Sequence, residues 1–259
     1  MLTILGRKEQ KPTTCDGLSR RGFLQIGALR FGGIALPQLL RAEAAAGIRK
    51  SHKAVINILL PGRLSDALDL SKEDPAIVAR YGKPDPKLQG DGAPRMTTNF
   101  LLARRLVEAG ARYVSLNFSR WDWHSNGFDR ARQDLPMLDQ ALSALVQDLH
   151  ERGLENDVSV VCWGEFGRTP KINNQKGRGH WPSANFALLA GGGMRTGQVI
   201  GSTDRTGAEP KDRPVKFHEV FATLYHNMGI LEGRERFFDV SGTPRSPVDP
   251  EIKPLKELI

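Results

Sequence analysis

The feature that most restricts the fold of this chain is an alternation of two periods along it. Short runs at 54–60, 112–118, 157–163 and 186–190 have the length and the apolar or alternating pattern of strands, with valine and isoleucine richest at 54–60 and 157–163. Between them lie stretches whose apolar residues recur every three to four positions. Thr97 or Thr98 is placed to cap a helix reaching Ala109, with Phe100, Leu101, Ala103, Leu106 and Val107 on its stripe and Gly110 as its stop. Leu138, Leu142, Leu145, Val146 and Leu149 mark a second helix over 135–152, and Val220, Phe221, Leu224 and Met228 a third over 217–228. Residues 63–95 carry Pro75, Pro84, Pro86 and Pro94 and read as loop with one helical turn at 76–81. Residues 198–201 read as an edge strand, and the Pro-rich tail from Val240 as a surface wrap. Strands alternating with helices predict an α/β fold with a mainly parallel sheet and helices on both faces. Ligands in such sheets gather beyond the carboxyl ends of the strands.

The first 46 residues have a different character. Ser19-Arg20-Arg21-Gly22-Phe23-Leu24 precedes a moderately apolar run ending near Leu40, and Ala44-Ala45-Ala46 follows. Paired arginines, a weakly apolar stretch and a small-residue exit match a twin-arginine-type signal peptide over 1–46, with export to the periplasm or the exterior. Arg30 inside the run, and its shortness, argue against a stable membrane span. Seven basic and three acidic residues of the leader supply half of the net charge of +8. The body over 47–259, read as a single domain, keeps no basic run interleaved with aromatics, so a nucleic-acid partner is not expected. Cys15 and Cys162 are the two cysteines, which leaves the body one thiol and no internal disulfide.

Three segments follow strand ends. They are Trp121-Asp122-Trp123-His124, Gly164-Glu165-Phe166-Gly167-Arg168-Thr169 and Gly177-Arg178-Gly179-His180-Trp181-Pro182. Carboxylate oxygen with imidazole nitrogen is the donor mix that suits zinc and, with more oxygen, manganese or calcium. Asp122, His124 and His180 are therefore the expected divalent-metal ligands. Glu165 is expected as a further ligand or general base, and Arg168 as a fork for two oxygens of a tetrahedral oxyanion. Each has a plainer reading: a loop brace for Asp122 and His124, a salt bridge between Glu165 and Arg168, a packed loop histidine for His180. Cys162 reads as a small buried hydrophobe, and His218 and His226 as structural or exposed.

Together with the leader, with Leu101-Leu102-Ala103-Arg104-Arg105-Leu106-Val107-Glu108-Ala109-Gly110 and with Leu189 to Gly193, these segments resemble the bacterial domain-of-unknown-function 1501 family. The resemblance implies a sheet of the sulfatase and alkaline phosphatase type, and it sets Asp122, His124, Glu165 and His180 where metal-site residues are sought. Family members usually carry Gly-Gly-Pro-Ser-His-x-Asp after the first strand. Here that place reads Pro61-Gly62-Arg63-Leu64-Ser65-Asp66-Ala67-Leu68-Asp69. By the same comparison the chain is shortened around 61–96, where the other half of a site would lie. Such a loss implies marginal stability or oligomerisation, because uncovered apolar surface forfeits about 25 cal/mol per Å².

Two functions from different classes follow. One is metal-assisted hydrolysis of a sulfate or phosphate ester, carried on a small molecule or a polysaccharide. The other is a catalytically inactive exported binding or scaffold protein that retains the sheet. A non-functional remnant ranks third.

Overall fold

The computed structural model describes residues 61–230 and 236–259, so the leader and the apolar run at 54–60 lie outside the described residues. The chain divides into two compact units, one holding 59–232 with 248–259 and the other 1–58 with 233–247.

In the larger unit, α1 (Pro61–Leu68) leads into a 3₁₀ turn at Leu70–Lys72 and then α2 (Pro75–Arg80). Asp74 caps α2 by accepting a hydrogen bond from the Ala76 N–H, with Pro75 in the first position where its missing N–H costs nothing. The polar 63–95 stretch is thus more helical than its prolines suggest. Helix α3 (Thr98–Glu108) and the long α4 (Gly127–Glu151) follow. Helix α4 starts eight residues before the expected 135. Its opening turn is fixed from outside, because Gly127 N–H donates to the Lys176 carbonyl at 2.8 Å. Pro136 sits inside it and removes one i to i−4 bond.

Helices α3 and α4 share a core of Phe100, Leu101, Ala141, Ala144, Leu145 and Leu149, with Tyr81 and Phe118. Burial of each leucine contributes about 1.5–3 kcal/mol. The expected stripe of α3 is corrected in one respect: Arg104, not an apolar residue, is its fourth buried position. Arg104 Nε donates to Asp148 Oδ2 at 2.9 Å, and its terminal nitrogens reach Glu108 and Glu73, each at 2.6 Å. Tyr81 donates to the same Asp148 oxygen at 2.8 Å, and Arg152 Nε to the other oxygen at 2.8 Å. A buried charge is tolerated only when paired in this way.

Strand β1 (Ser159–Trp163) is followed by two short strands, β2 (Gly167–Arg168) and β3 (His180–Trp181), and then β4 (Ala187–Gly191). β1 pairs β4 with Trp163 opposite Ala187 and Ser159 opposite Gly191. Every ladder among the described residues is antiparallel. The expected parallel sheet is therefore not what these strands form, and the fold is mixed α/β. A parallel return needs a long crossover, usually a helix. The 164–186 excursion holds none; it carries the β2–β3 ribbon and delivers β4 back beside the end of β1. The run at 112–118 forms no strand, and 198–201 forms none either.

Alternation along β1 sends Val160 toward the α3–α4 core and Trp163 toward a second cluster. That cluster joins Met194, Val220, Leu255 and Leu258, and involves α5 (Phe217–Asn227). Trp163 meets Phe217 and Phe221 edge-on at 5.5 and 5.1 Å. The tail is not all surface wrap: Leu255 N–H donates to Thr223 Oγ1, and Leu255 and Leu258 are buried. His218 and His226 on α5 are exposed, and Phe221 and Met228 of its expected stripe stay largely so. No described helix is long and apolar enough to cross a membrane.

In the smaller unit, β5 (Phe237–Phe238) and β6 (Pro244–Arg245) form a hairpin. Asp239 braces its turn. Bonds from Ser241, Thr243 and Arg245 hold its carboxyl down at about 2.

Candidate metal and oxyanion site

Backbone contacts decide which loops meet beyond the end of β1. The 173–178 loop lies directly on the 121–127 loop. Arg178 N–H donates to the Trp123 carbonyl at 3.1 Å, and Asn126 N–H donates to the Gln175 carbonyl at 3.0 Å. Asn173 Nδ2 holds the His124 carbonyl at 2.9 Å. Gly177 makes this approach possible, because a Cβ there would stand 2.1 Å from the His124 carbonyl group. A second lock joins the 167–169 segment to 179–181. Thr169 N–H donates to the Gly179 carbonyl, and Gly179 N–H to Thr169 Oγ1, both at 3.0 Å. Gly167 pairs Trp181 and Arg168 pairs His180 across the β2–β3 ribbon. A Cβ on Gly167 would lie 1.8 Å from the Ala184 carbonyl oxygen, so no larger residue fits.

These locks bring four of the five expected site residues together. His180 Nε2 lies 2.9 Å, His124 Nε2 3.0 Å and Arg168 Nη1 2.7 Å from one oxygen, Asp122 Oδ1. Among the described residues, no hydrogen bond or ion pair engages Asp122 Oδ2. The Arg168 bond, then that of His180, holds the Asp122 carboxyl down at about 2, so it is ionised throughout the neutral range. The His180 ring rests between Phe166, at 4.5 Å, and His124, at 4.9 Å. Arg168 lies over the Phe166 face at 5.7 Å. Both imidazoles are about half exposed, so the cluster opens to solvent.

Glu165 is not gathered with the other four. It is exposed, and among the described residues no hydrogen bond or ion pair engages it. The guanidinium beside it is committed to Asp122 instead, which also removes the Glu165–Arg168 salt bridge as an account of either residue. Phe166 is the site residue that sequence reading passed over. An aromatic between Glu165 and Gly167 carries no ligand signal, and only the fold of β2 onto β3 turns it against His180.

One ligand atom each from Asp122, His124 and His180 lies within 4.8 Å of the others. Zinc at about 2.0–2.2 Å from each donor sets them about 3.3 Å apart in a tetrahedron. The two Asp–His separations need open by only a few tenths of an ångström, and the two imidazoles, whose rings stand 4.9 Å apart, would have to turn their nitrogens toward a shared ion, so the donor types suit a divalent cation. Neutral imidazole carries its hydrogen on one nitrogen at a time. For either Nε2 to become a donor atom, that hydrogen must reside on Nδ1, away from Asp122. Trp121 and Trp123 donate their indole N–H groups to the Phe118 and Arg120 carbonyls, and their rings stand 5.1 Å apart beside the cluster. Cys162 is half-buried on β1, and burial pushes its thiol up, away from reactivity.

A family model described as "Protein of unknown function (DUF1501)" matches residues 37–259. No curated protein and no solved structure matches the chain.

Proposed function

This chain belongs to the DUF1501 family, and from that membership together with the loop geometry we propose that it is an exported protein whose Asp122, His124 and His180 hold a divalent cation for hydrolysis of a sulfate or phosphate ester. The observation that carries the reading is the convergence of two imidazoles and a guanidinium on one carboxylate, open to solvent on one side. The twin-arginine-type leader supports the export, and the relation to sulfatases and alkaline phosphatases is part of the same proposal.

The three ligand side chains would take zinc or manganese more readily than calcium, given two nitrogens for one oxygen. Such an ion, when bound, polarises an ester oxygen and lowers the pKa of a water. Asp122 stays charged to balance it. Arg168 keeps Nη1 on Asp122, and its Nε and Nη2, which no hydrogen bond engages among the described residues, can grip two oxygens of the tetrahedral group. Phe166 fixes the faces of both His180 and Arg168. Trp121 and Trp123 offer an apolar wall for the organic part of the ester.

A second reading, an exported binding protein without turnover, is favoured by one observation: Glu165, the residue available as a base, stands apart from the cluster. Metal content of the full-length protein after dialysis against zinc, manganese or calcium tests the first part. A single bound ion is expected in the wild type and none in Asp122→Ala or His124→Ala. Release of nitrophenol from its sulfate and phosphate esters tests the second part. Metal uptake without hydrolysis selects the binding protein, and absence of uptake by the wild type overturns both.

A further inference from the structure

A separate cleft of about 300 Å³ lies where the first two turns of α4 meet the 89–95 and 119–120 segments. This is the lower end of the range of small-molecule sites, and every residue lining it is polar or charged. None of them is among the four residues clustered at Asp122. Its carboxylates are already neutralised. Asp134 accepts from Arg95 Nε at 2.5 Å and from Ser119 Oγ at 2.8 Å, and Asp129 pairs with Arg132 at 2.9 Å. Arg95 is saturated as well, with its remaining nitrogens on Asp85 and Gln133.

One whole guanidinium and the end of a second are left over. Among the described residues, no hydrogen bond or ion pair engages the side chain of Arg130. Arg120 is ion-paired with Asp91 at 2.6 Å through Nε, which is buried but not aligned for a hydrogen bond, and among the described residues no hydrogen bond engages its two terminal nitrogens. A half-open polar space with one unengaged guanidinium, the terminal nitrogens of a second and no unpaired acid suits a tetrahedral anion. Arg130 stands in the opening turn of a 25-residue helix, whose dipole adds to the same preference.

We propose that this cleft binds an oxyanion, a phosphate or sulfate group either free or carried on a larger ester, with Arg130 and Arg120 as its forks. The site is independent of the metal reading. It is tested by calorimetric titration of the full-length protein with inorganic phosphate, inorganic sulfate and a sugar phosphate. Binding is expected in the wild type, and Arg130→Gln is expected to weaken it about tenfold or more, the loss of a charge-assisted pair. Arg120→Gln should weaken it too, and Arg205→Gln, at an exposed arginine outside the cleft, should leave it unchanged. Arg130 holds nothing in the fold, so its variant should melt with the wild type. Uptake of the inorganic ions assigns a free anion, and uptake of the sugar phosphate alone assigns an ester group. No binding of any of the three overturns the proposal, as does binding that is lost in Arg168→Gln but kept in Arg130→Gln.

Discussion

Two carboxylates organise the charge of this molecule, and they are used in opposite ways. Asp148 is buried between helices and spends both oxygens, one on Arg152 and the other on Arg104 and Tyr81. Asp122 is half-exposed between loops, collects three nitrogens on one oxygen and leaves the second open. The first arrangement is complete and can only hold helices together. The second is crowded on one side and unfinished on the other, which is the state of a site awaiting a ligand. Satisfaction of hydrogen-bonding capacity, more than the number of charges, separates a structural cluster from a candidate functional one.

The largest effect should come from breaking the buried member. Arg104→Met takes the most buried cation from Asp148 and Glu73, leaving Asp148 with Arg152 and Glu73 with Arg105. A loss of about 3–5 kcal/mol in urea denaturation is expected, against less than about 1 kcal/mol for Asp122→Ala. Equal losses for the two variants would erase the distinction.

Acid provides a second, smaller break. At Glu73 and Asp148 burial pushes the carboxyls up, but arginine bonds outweigh it and both end below the ordinary range. Asp122 is depressed too, to about 2. A depressed carboxyl stabilises the fold above its unfolded pKa, and that contribution is lost as pH falls through the folded one. Stability should therefore hold at neutrality and fall as pH drops below the ordinary carboxylate range of about 4 toward about 2. The buried pair should dominate, so Asp122→Asn should leave most of that acid dependence in place. An acid limb that vanishes in Asp122→Asn would show that the exposed cluster carries the fold.

The same contrast explains what the sequence could reveal. Phe100, Leu101, Leu145 and Leu149 keep the helical period and are buried as that period requires. β1 and β4 stand within two residues of the expected bounds because valine-rich and leucine-rich runs leave little choice. The three polar segments that bring Asp122, His124, Arg168 and His180 together were legible as such, but the ground for grouping them was not sound, because 112–118 forms no strand before the first of them and Glu165 stays apart. Strand direction was not legible, because nothing in the composition of 164–186 says whether it crosses over or turns back. Nor was the buried Arg104, which sits in a run of leucines beside a second arginine. Glu108 lies one turn away, but the acids that accompany Arg104 into the core come from Glu73, 31 residues earlier, and Asp148, 44 residues later, so tertiary packing pairs them. Phe166 and the early start of α4 were hidden for the same reason: each is fixed by a contact with a distant loop.

The smallest effect sharpens the boundary of the unfinished cluster. Glu165 lies three residues before Arg168 and belongs with it in sequence, yet among the described residues no hydrogen bond or ion pair engages it where Arg168 has Asp122. If proximity in sequence governed the site, Glu165→Gln would weaken metal uptake as His180→Ala does. If the convergence on Asp122 Oδ1 governs it, Glu165→Gln should bind zinc with wild-type affinity and His180→Ala should lose it. Competition titration with a chromogenic chelator reads both variants on one scale. The removed Glu165 charge is exposed, so whatever it contributes across solvent should fade when the titration is repeated at high salt. A deficit in Glu165→Gln that persists at high salt would mean that Glu165 closes onto the ion as a fourth ligand, through a movement of the 164–166 turn.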